Sequence, residues 1–370
     1  MSTQDDSKAI PLAFAHEQAP VRLLELPPSL LSLIENSTFK SSAPVLKIKA
    51  SPAPSHHGSN TGSTGPAPFA VLTTATETYN IRSVHSSNSI FILKPVPIPI
   101  IPDQGDADSD TEMADEPIIT SKPGVIVTST CASHLELLPS KPNTELLFQS
   151  MLTEYKSPET PPSRPSEVLS KTEILLNTPV SDGEFHEGWR DVTAFEVDGW
   201  ALRLSPLAAL EIFGILISLI RGRGSSDEIE EDEMGMQFFM DLVAQDGGIE
   251  FPVEAVGAVV RGAFEGKRTQ DGSMAYNFTT PYTAKWVGKH ILLSNPNKEY
   301  TERQFIETWR SKTPDECEKF VDLKLLDGLH TRSALGVVRY IHGTENESGV
   351  TPTNKKKNKW HEKFAAGKKR

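Results

Sequence analysis

The spacing of apolar side chains changes part-way along the chain. Before about residue 140 it is short and alternating. Val45-Leu46-Lys47-Ile48-Lys49 and Tyr79-Asn80-Ile81-Arg82 have period two, and short apolar runs stand at Phe69-Ala70-Val71-Leu72, Ile90-Phe91-Ile92-Leu93 and Val125-Ile126-Val127. Period two with β-branched and aromatic enrichment predicts strands, spaced as in a small barrel or sandwich. Polar insertions at 50–68 and 101–123 interrupt this region. Pro95-Val96-Pro97-Ile98-Pro99 reads as an exit from it, because proline lacks a ladder donor and cannot stay in a central strand.

From about residue 166 the pattern is helical with short β pieces. Ser181-Asp182-Gly183-Glu184 has the form of a capping box, and Phe185 and Trp189 lie i, i+4 on the helix it would start. Asp198-Gly199 between alternating residues 194–197 and 200–204 predicts a two-residue hairpin turn with positive φ at both positions. Ser205-Pro206 then supplies an N-cap and an N1 proline for an apolar helix over 206–220. Two helices, a hairpin and a helix make a unit resembling a winged helix. The succession recurs with helices at 236–243 and 252–264, a β piece at 274–279 and a helix at 281–293. A further unit starts at Thr301, with Phe305, Ile306 and Trp309 on one helical face, and ends in a strand at 337–341.

The expected class is therefore α+β: an N-terminal β-rich partial barrel, then tandem winged helices. The divisions are a β module at 20–140, a helix and linker at 141–165, and winged helices at 166–225, 234–298 and 299–370, the last with a basic tail. Strands at 69–93 broken by insertions leave edges that a partner chain can complete, and such edges are a liability in a lone monomer.

Charge narrows the picture. A net charge of −12 opposes a surface devoted to coating nucleic acid. Acidic residues gather between Asp103 and Glu116 and between Asp227 and Glu233, whereas Lys355, Lys356, Lys357 and Lys359 open a basic tail. The candidate phosphate-contacting residues are Arg261, Lys267, Arg268, Lys285, Lys289 and that lysine cluster. Cys131 and Cys317 lack metal or disulfide spacing. The N-terminal residues have no basic region leading into an apolar core, so no secretory signal is expected, and the most apolar window, 207–220, is shorter than the ~20 residues of a membrane span.

The residues assemble no catalytic motif. Gly262, Gly266 and Lys267 approach a phosphate loop, but three residues rather than four separate the glycines and Arg268 stands where Ser or Thr would hold magnesium; a loop with a basic tip is expected instead. Asp106, Asp108 and Asp110 resemble the start of a calcium loop, but Thr111 and Pro117 occupy its glycine and glutamate positions. No cofactor and no enzyme activity are expected.

Leu23-Leu24-Glu25-Leu26, Leu46-Lys47-Ile48-Lys49, and Ala70-Val71-Leu72-Thr73-Thr74 running into 77–82 and 87–90 resemble, in content and order, the N-terminal half of the sister chromatid cohesion Dcc-type subunits of the alternative replication factor C clamp loader. His134-Leu135-Glu136-Leu137, Asp198-Gly199-Trp200, Phe305-Ile306-Glu307-Thr308-Trp309 and Leu326-Asp327-Gly328-Leu329 are similar to later landmarks of that family. The C-terminal Trp360-His361-Glu362-Lys363-Phe364 and the long insertions depart from it. The resemblance implies a nuclear, non-catalytic subunit acting in DNA replication, cohesion and the cell cycle. Its β module would join the clamp loader's large subunit and a small Ctf eight-type partner, with Leu72, Tyr79, Ile81, Ser87, Asn88 and Ile90 as partner-binding residues. Its winged helices would meet polymerase epsilon and DNA without sequence preference, while other subunits load the PCNA clamp. The competing expectation, a winged-helix transcription or chromatin factor, requires a polar recognition helix, and 206–220 is almost wholly apolar.

Overall fold

The computed structural model describes residues 10–38, 43–50, 70–99, 121–223, 234–246, 250–333 and 336–341. The insertions at 51–69 and 100–120, both acidic runs and the Lys355–Lys359 cluster lie outside them. The fold is α+β, and the chain forms two compact units: Met1–Pro142 with Asn177–Gly183, and Asn143–Leu176 with Glu184–Arg370.

Among the described residues up to Pro142, the first unit has one sheet and one helix. Its elements are β1 (Leu12–Phe14), β2 (Leu23–Glu25), α1 (Pro28–Thr38), β3 (Lys47–Ala50), β4 (Ala70–Thr73), β5 (Thr78–Pro99) and β6 (Ser121–Ser140). The strand order is β1-β6-β5-β4-β3, with β2 also pairing β6. β5 and β6 form a long antiparallel ladder from Thr78↔Ser140 to Pro99↔Ser121, while β1 and β2 lie parallel to β6. The two runs at 79–82 and 90–93 thus belong to a single strand. The proline segment does not exit the sheet either. Prolines at 95, 97 and 99 share one period-two phase, so their missing donors face one edge; the ladder with β6 persists because that edge is the other one.

Leu30, Leu72, Tyr79 and Leu137 are buried together, with Leu26, Ile34 and Ile81 against them. Residues 177–183 are bonded into the unit despite their distance in sequence. Lys49 Nζ donates to Val180 O at 2.8 Å, Lys47 pairs with Asp182 at 2.6 Å, Ser181 N donates to Thr78 Oγ1 at 2.8 Å, and Gly183 N donates to Ala75 O at 2.8 Å. Burial lowers the Lys49 ammonium pKa, and the Asp182 carboxylate opposes that shift.

The second unit repeats a succession of two helices and a hairpin. It begins with α2 (Thr144–Met151) and β7 (Thr153–Tyr155). The first succession is α3 (Lys171–Asn177), α4 (Asp182–Asp191), β8 (Ala194–Val197), β9 (Trp200–Leu204) and α5 (Pro206–Gly222). The next is α6 (Met236–Asp246), α7 (Val253–Ala263), β10 (Glu265–Arg268), β11 (Met274–Asn277) and α8 (Pro281–Ser294). The chain then continues through β12 (Tyr300–Thr301), α9 (Glu302–Lys312), two 3-10 turns, β13 (His330–Arg332) and β14 (Val337–Tyr340).

Local chemistry explains these boundaries. Asp198 and Gly199 have φ of 51° and 74°, as a type I′ hairpin turn requires. The Ser205 hydroxyl accepts from Ala208 N and Pro206 opens α5; Thr301 and Gln304 close a capping box on α9. Ala209, Ile212, Phe213 and Leu216 of α5 are almost wholly buried, and the helix packs against α6, α7 and α8. Gly288 of α8 lets the Trp309 indole approach to 2.6 Å from where a Cβ would stand, and Trp309 Nε1 donates to Ala284 O at 2.8 Å.

Candidate partner and nucleic-acid interfaces

Two surfaces stand out, one in each unit. In the first unit, β4 pairs β5 only as far as Val71↔Asn80. From Ile81 onward β5 has β6 on one side and, among the described residues, no strand on the other. Its outer edge therefore offers unpaired backbone donors and acceptors as far as Leu93, beyond which the prolines remove donors. A bulge between His85 and Ile90 carries Ser87 and Asn88, and Asn88 N donates to Ser86 Oγ at 3.1 Å.

Large apolar side chains are exposed on this sheet. Ile90 and Phe91 are 39% and 47% exposed, and Leu93 is 48% exposed. Consecutive strand residues point to opposite faces, so both faces of the sheet are bare here. Phe14 of β1, 58% exposed, meets Phe91 edge-to-face at 5.9 Å. Leu12 and, on β3, Ile48 are also exposed. Single exposed apolar residues are ordinary, but a concentration of this kind marks a contact surface.

The six partner-binding residues read from the sequence fall into two groups. Leu72 and Tyr79 are buried, and Ile81 packs on them; Ser87, Asn88 and Ile90 are exposed on the bulged strand. Tyr79 is fixed by hydrogen bonds with Ser29 at 3.0 Å and Glu77 at 2.5 Å. Sequence reading missed Leu12, Phe14 and Phe91, although the alternation Leu12-Ala13-Phe14 signals β1.

In the second unit the basic candidates are dispersed. Lys267 and Arg268 are exposed on β10, in register with Ala275 and Met274 of β11. They lie in the strand itself, not in a basic-tipped loop, and Gly262 is buried in α7. The hairpin tip carries a carboxylate: Asp271 accepts from Thr269 Oγ1 and from Ser273 N and Oγ, which holds its pKa down to about 2. Lys285 is exposed on α8, whereas Lys289, one turn on, is largely covered and pairs with Glu145 at 3.3 Å. Arg261 is exposed on α7, with neighbouring side chains displacing enough water from its guanidinium to lower its pKa.

The remaining titratable groups point to packing. His290 is buried, stacks on Trp286 at 3.8 Å and donates from Nδ1 to Trp286 O at 2.8 Å. Burial and then Lys289 push its pKa down to about 3. Cys317 is buried with its thiol pushed up to about 11 and donates to Phe278 O at 2.9 Å, so it is a poor nucleophile. Among the described residues there is no cluster of metal-ligating side chains, and no helix is long and apolar enough to cross a membrane.

A family model described as Dcc1, sister chromatid cohesion protein Dcc1, matches residues 21–345. No curated protein matches the chain.

Proposed function

Because the chain belongs to the sister chromatid cohesion protein Dcc1 family, and so has a role in cohesion, we propose that it is a non-catalytic subunit of the alternative replication factor C complex. It works in the nucleus, where that complex loads the PCNA clamp. The first unit is the assembly module: the large clamp-loader subunit and the small Ctf eight-type partner extend its sheet and complete a barrel. The observation that carries this reading is the open β5 edge from Ile81 to Leu93, with bare apolar residues on both faces. Main-chain pairing supplies affinity along such an edge, and alternate side chains supply specificity.

The two helix-helix-hairpin successions, with the unit around α9, act as winged helices that reach polymerase epsilon and DNA. Lys267, Arg268 and Lys285 are exposed and form no ion pair among the described residues, which suits phosphate contact. Backbone contacts of this kind carry no sequence information. Base reading by α5 is disfavoured because Ala208, Ala209, Leu210, Ile212, Phe213, Leu216, Ile217 and Ile220 are buried, which leaves it few polar positions.

The test is co-expression of the full chain with the large and small subunits and purification through the large subunit. A stoichiometric complex that loads PCNA and retains this chain supports the proposal. Loading subunits that assemble without it refute it.

A further inference from the structure

A groove in the second unit has chemistry that duplex DNA does not match. Two adjoining cavities, of about 450 and 360 Å³, share Lys171, Trp189 and Arg261 in their walls. Lys171 stands over the Trp189 ring at 5.2 Å. Arg261 folds back over Gly257 one turn earlier, its Nη1 3.3 Å from where a Cβ would be, so the absence of a side chain there gives the guanidinium its seat. Neither cation has a salt-bridge partner among the described residues. Glu196 lines the groove but accepts the Lys171 backbone N–H at 2.6 Å. Burial lowers the pKa of both cations, and for Lys171 repulsion from Arg261 outweighs attraction to Glu196. The centre thus sets two cations against the single Glu196 carboxylate and is net positive.

The ends differ from the centre. Met236, Met240 and Val253 make one end apolar; Met274, Tyr276 and Tyr282 line the other. Glu254 stands at the first end; at the second, Glu265 stands with Arg190, whose guanidinium lies over the Tyr282 ring. Successive phosphates of a nucleic acid would meet the Glu254 carboxylate at the methionine end, whereas one anion at the centre meets two cations and a carboxylate already engaged by the Lys171 backbone N–H.

We propose that this groove binds a peptide segment of a partner protein in which one acidic side chain is flanked on both sides by large apolar residues. The carboxylate sits between Lys171 and Arg261, and the apolar flanks fill the methionine and tyrosine ends. A charge-assisted contact in a partly desolvated site gives the central anion its weight.

The test is selection of a random twelve-residue display library on the full chain. The expected result is a consensus with one Asp or Glu between apolar positions. Synthetic consensus peptide should lose at least tenfold in affinity when its acid becomes Asn or Gln, and also on Lys171→Met or Arg261→Met. The peptide-side change reads the same contact if either protein variant fails to fold. Absence of an acidic consensus, unchanged binding by folded variants, or displacement of the peptide by duplex DNA would overturn the proposal.

Discussion

Phe91→Ser tests the open-edge reading most directly. Phe91 is 47% exposed, and its ring contact is the edge-to-face approach of Phe14. An aromatic side chain buries roughly 150–250 Å² when fully covered, so about 90 Å² remains for a partner to cover. At ~25 cal/mol per Å² that area contributes about 2 kcal/mol, or roughly 30-fold in Kd. The free chain loses only the ring pair, about 1 kcal/mol or less. Titration calorimetry of the full chain against the purified large and small subunits should therefore show ~30-fold weaker binding with a nearly unchanged melting temperature. Leu207→Ser, at a 65% exposed position on α5, should bind as the native chain does. Native affinity for Phe91→Ser, or an equal loss for Leu207→Ser, would refute the assignment.

Replacing Pro95 and Pro97 with Val should lengthen the free β5 edge and promote self-association of the lone subunit, read by light scattering. Asp182→Asn leaves Lys47 and the buried Lys49 without their carboxylate and should cost about 1–3 kcal/mol in denaturant unfolding, with Lys49→Met restoring part of it. The depressed His290 pKa means that the unfolded chain binds more protons below pH ~6.5, so stability is retained above that value and lost as pH falls toward 3; the contribution between pH 7 and 5 is about 2 kcal/mol, and His290→Phe should flatten that part of a pH-melting profile. Changing Lys267, Arg268 and Lys285 to Glu should lower duplex DNA affinity without sequence bias and reduce the slope of log K against log salt by roughly 0.9 for each lost contact, as a salt titration on two unrelated duplexes would show.

Local signals made much of the helical half legible. Asp198-Gly199 gave the hairpin, Ser205-Pro206 the start of α5, and the spacing of Phe305 and Trp309 the buried face of α9. The β half was harder to read, because its strands are held by long-range pairing. Nothing near Leu12 or Leu23 announces parallel pairing with residues beyond 120, and period two cannot tell a continuous bulged strand from two short ones. The proline run misled for a specific reason: on an edge strand, prolines spaced by two can all face away from the ladder. Site residues divided along the same line. Leu72 and Tyr79 look like surface landmarks in sequence, but only the sheet shows that they are core. Lys285 and Lys289 are one helical turn apart, and only the position of Glu145 separates a free cation from a paired one.

The attachment of residues 177–183 to the first unit bears on how the chain is made. Translation delivers Lys47 and Lys49 early, but the Asp182 carboxylate and Val180 carbonyl that receive them emerge about 40 residues after the first stretch of that unit ends at Pro142. At ~5–20 residues per second, the interval is about 2–8 s. During it the nascent sheet has its edges and apolar faces exposed and two lysine ammonium groups without their acceptors. The first unit therefore reaches its final form only after part of the second has left the ribosome. A fragment cut at residue 142 is held indefinitely in that unfinished stage.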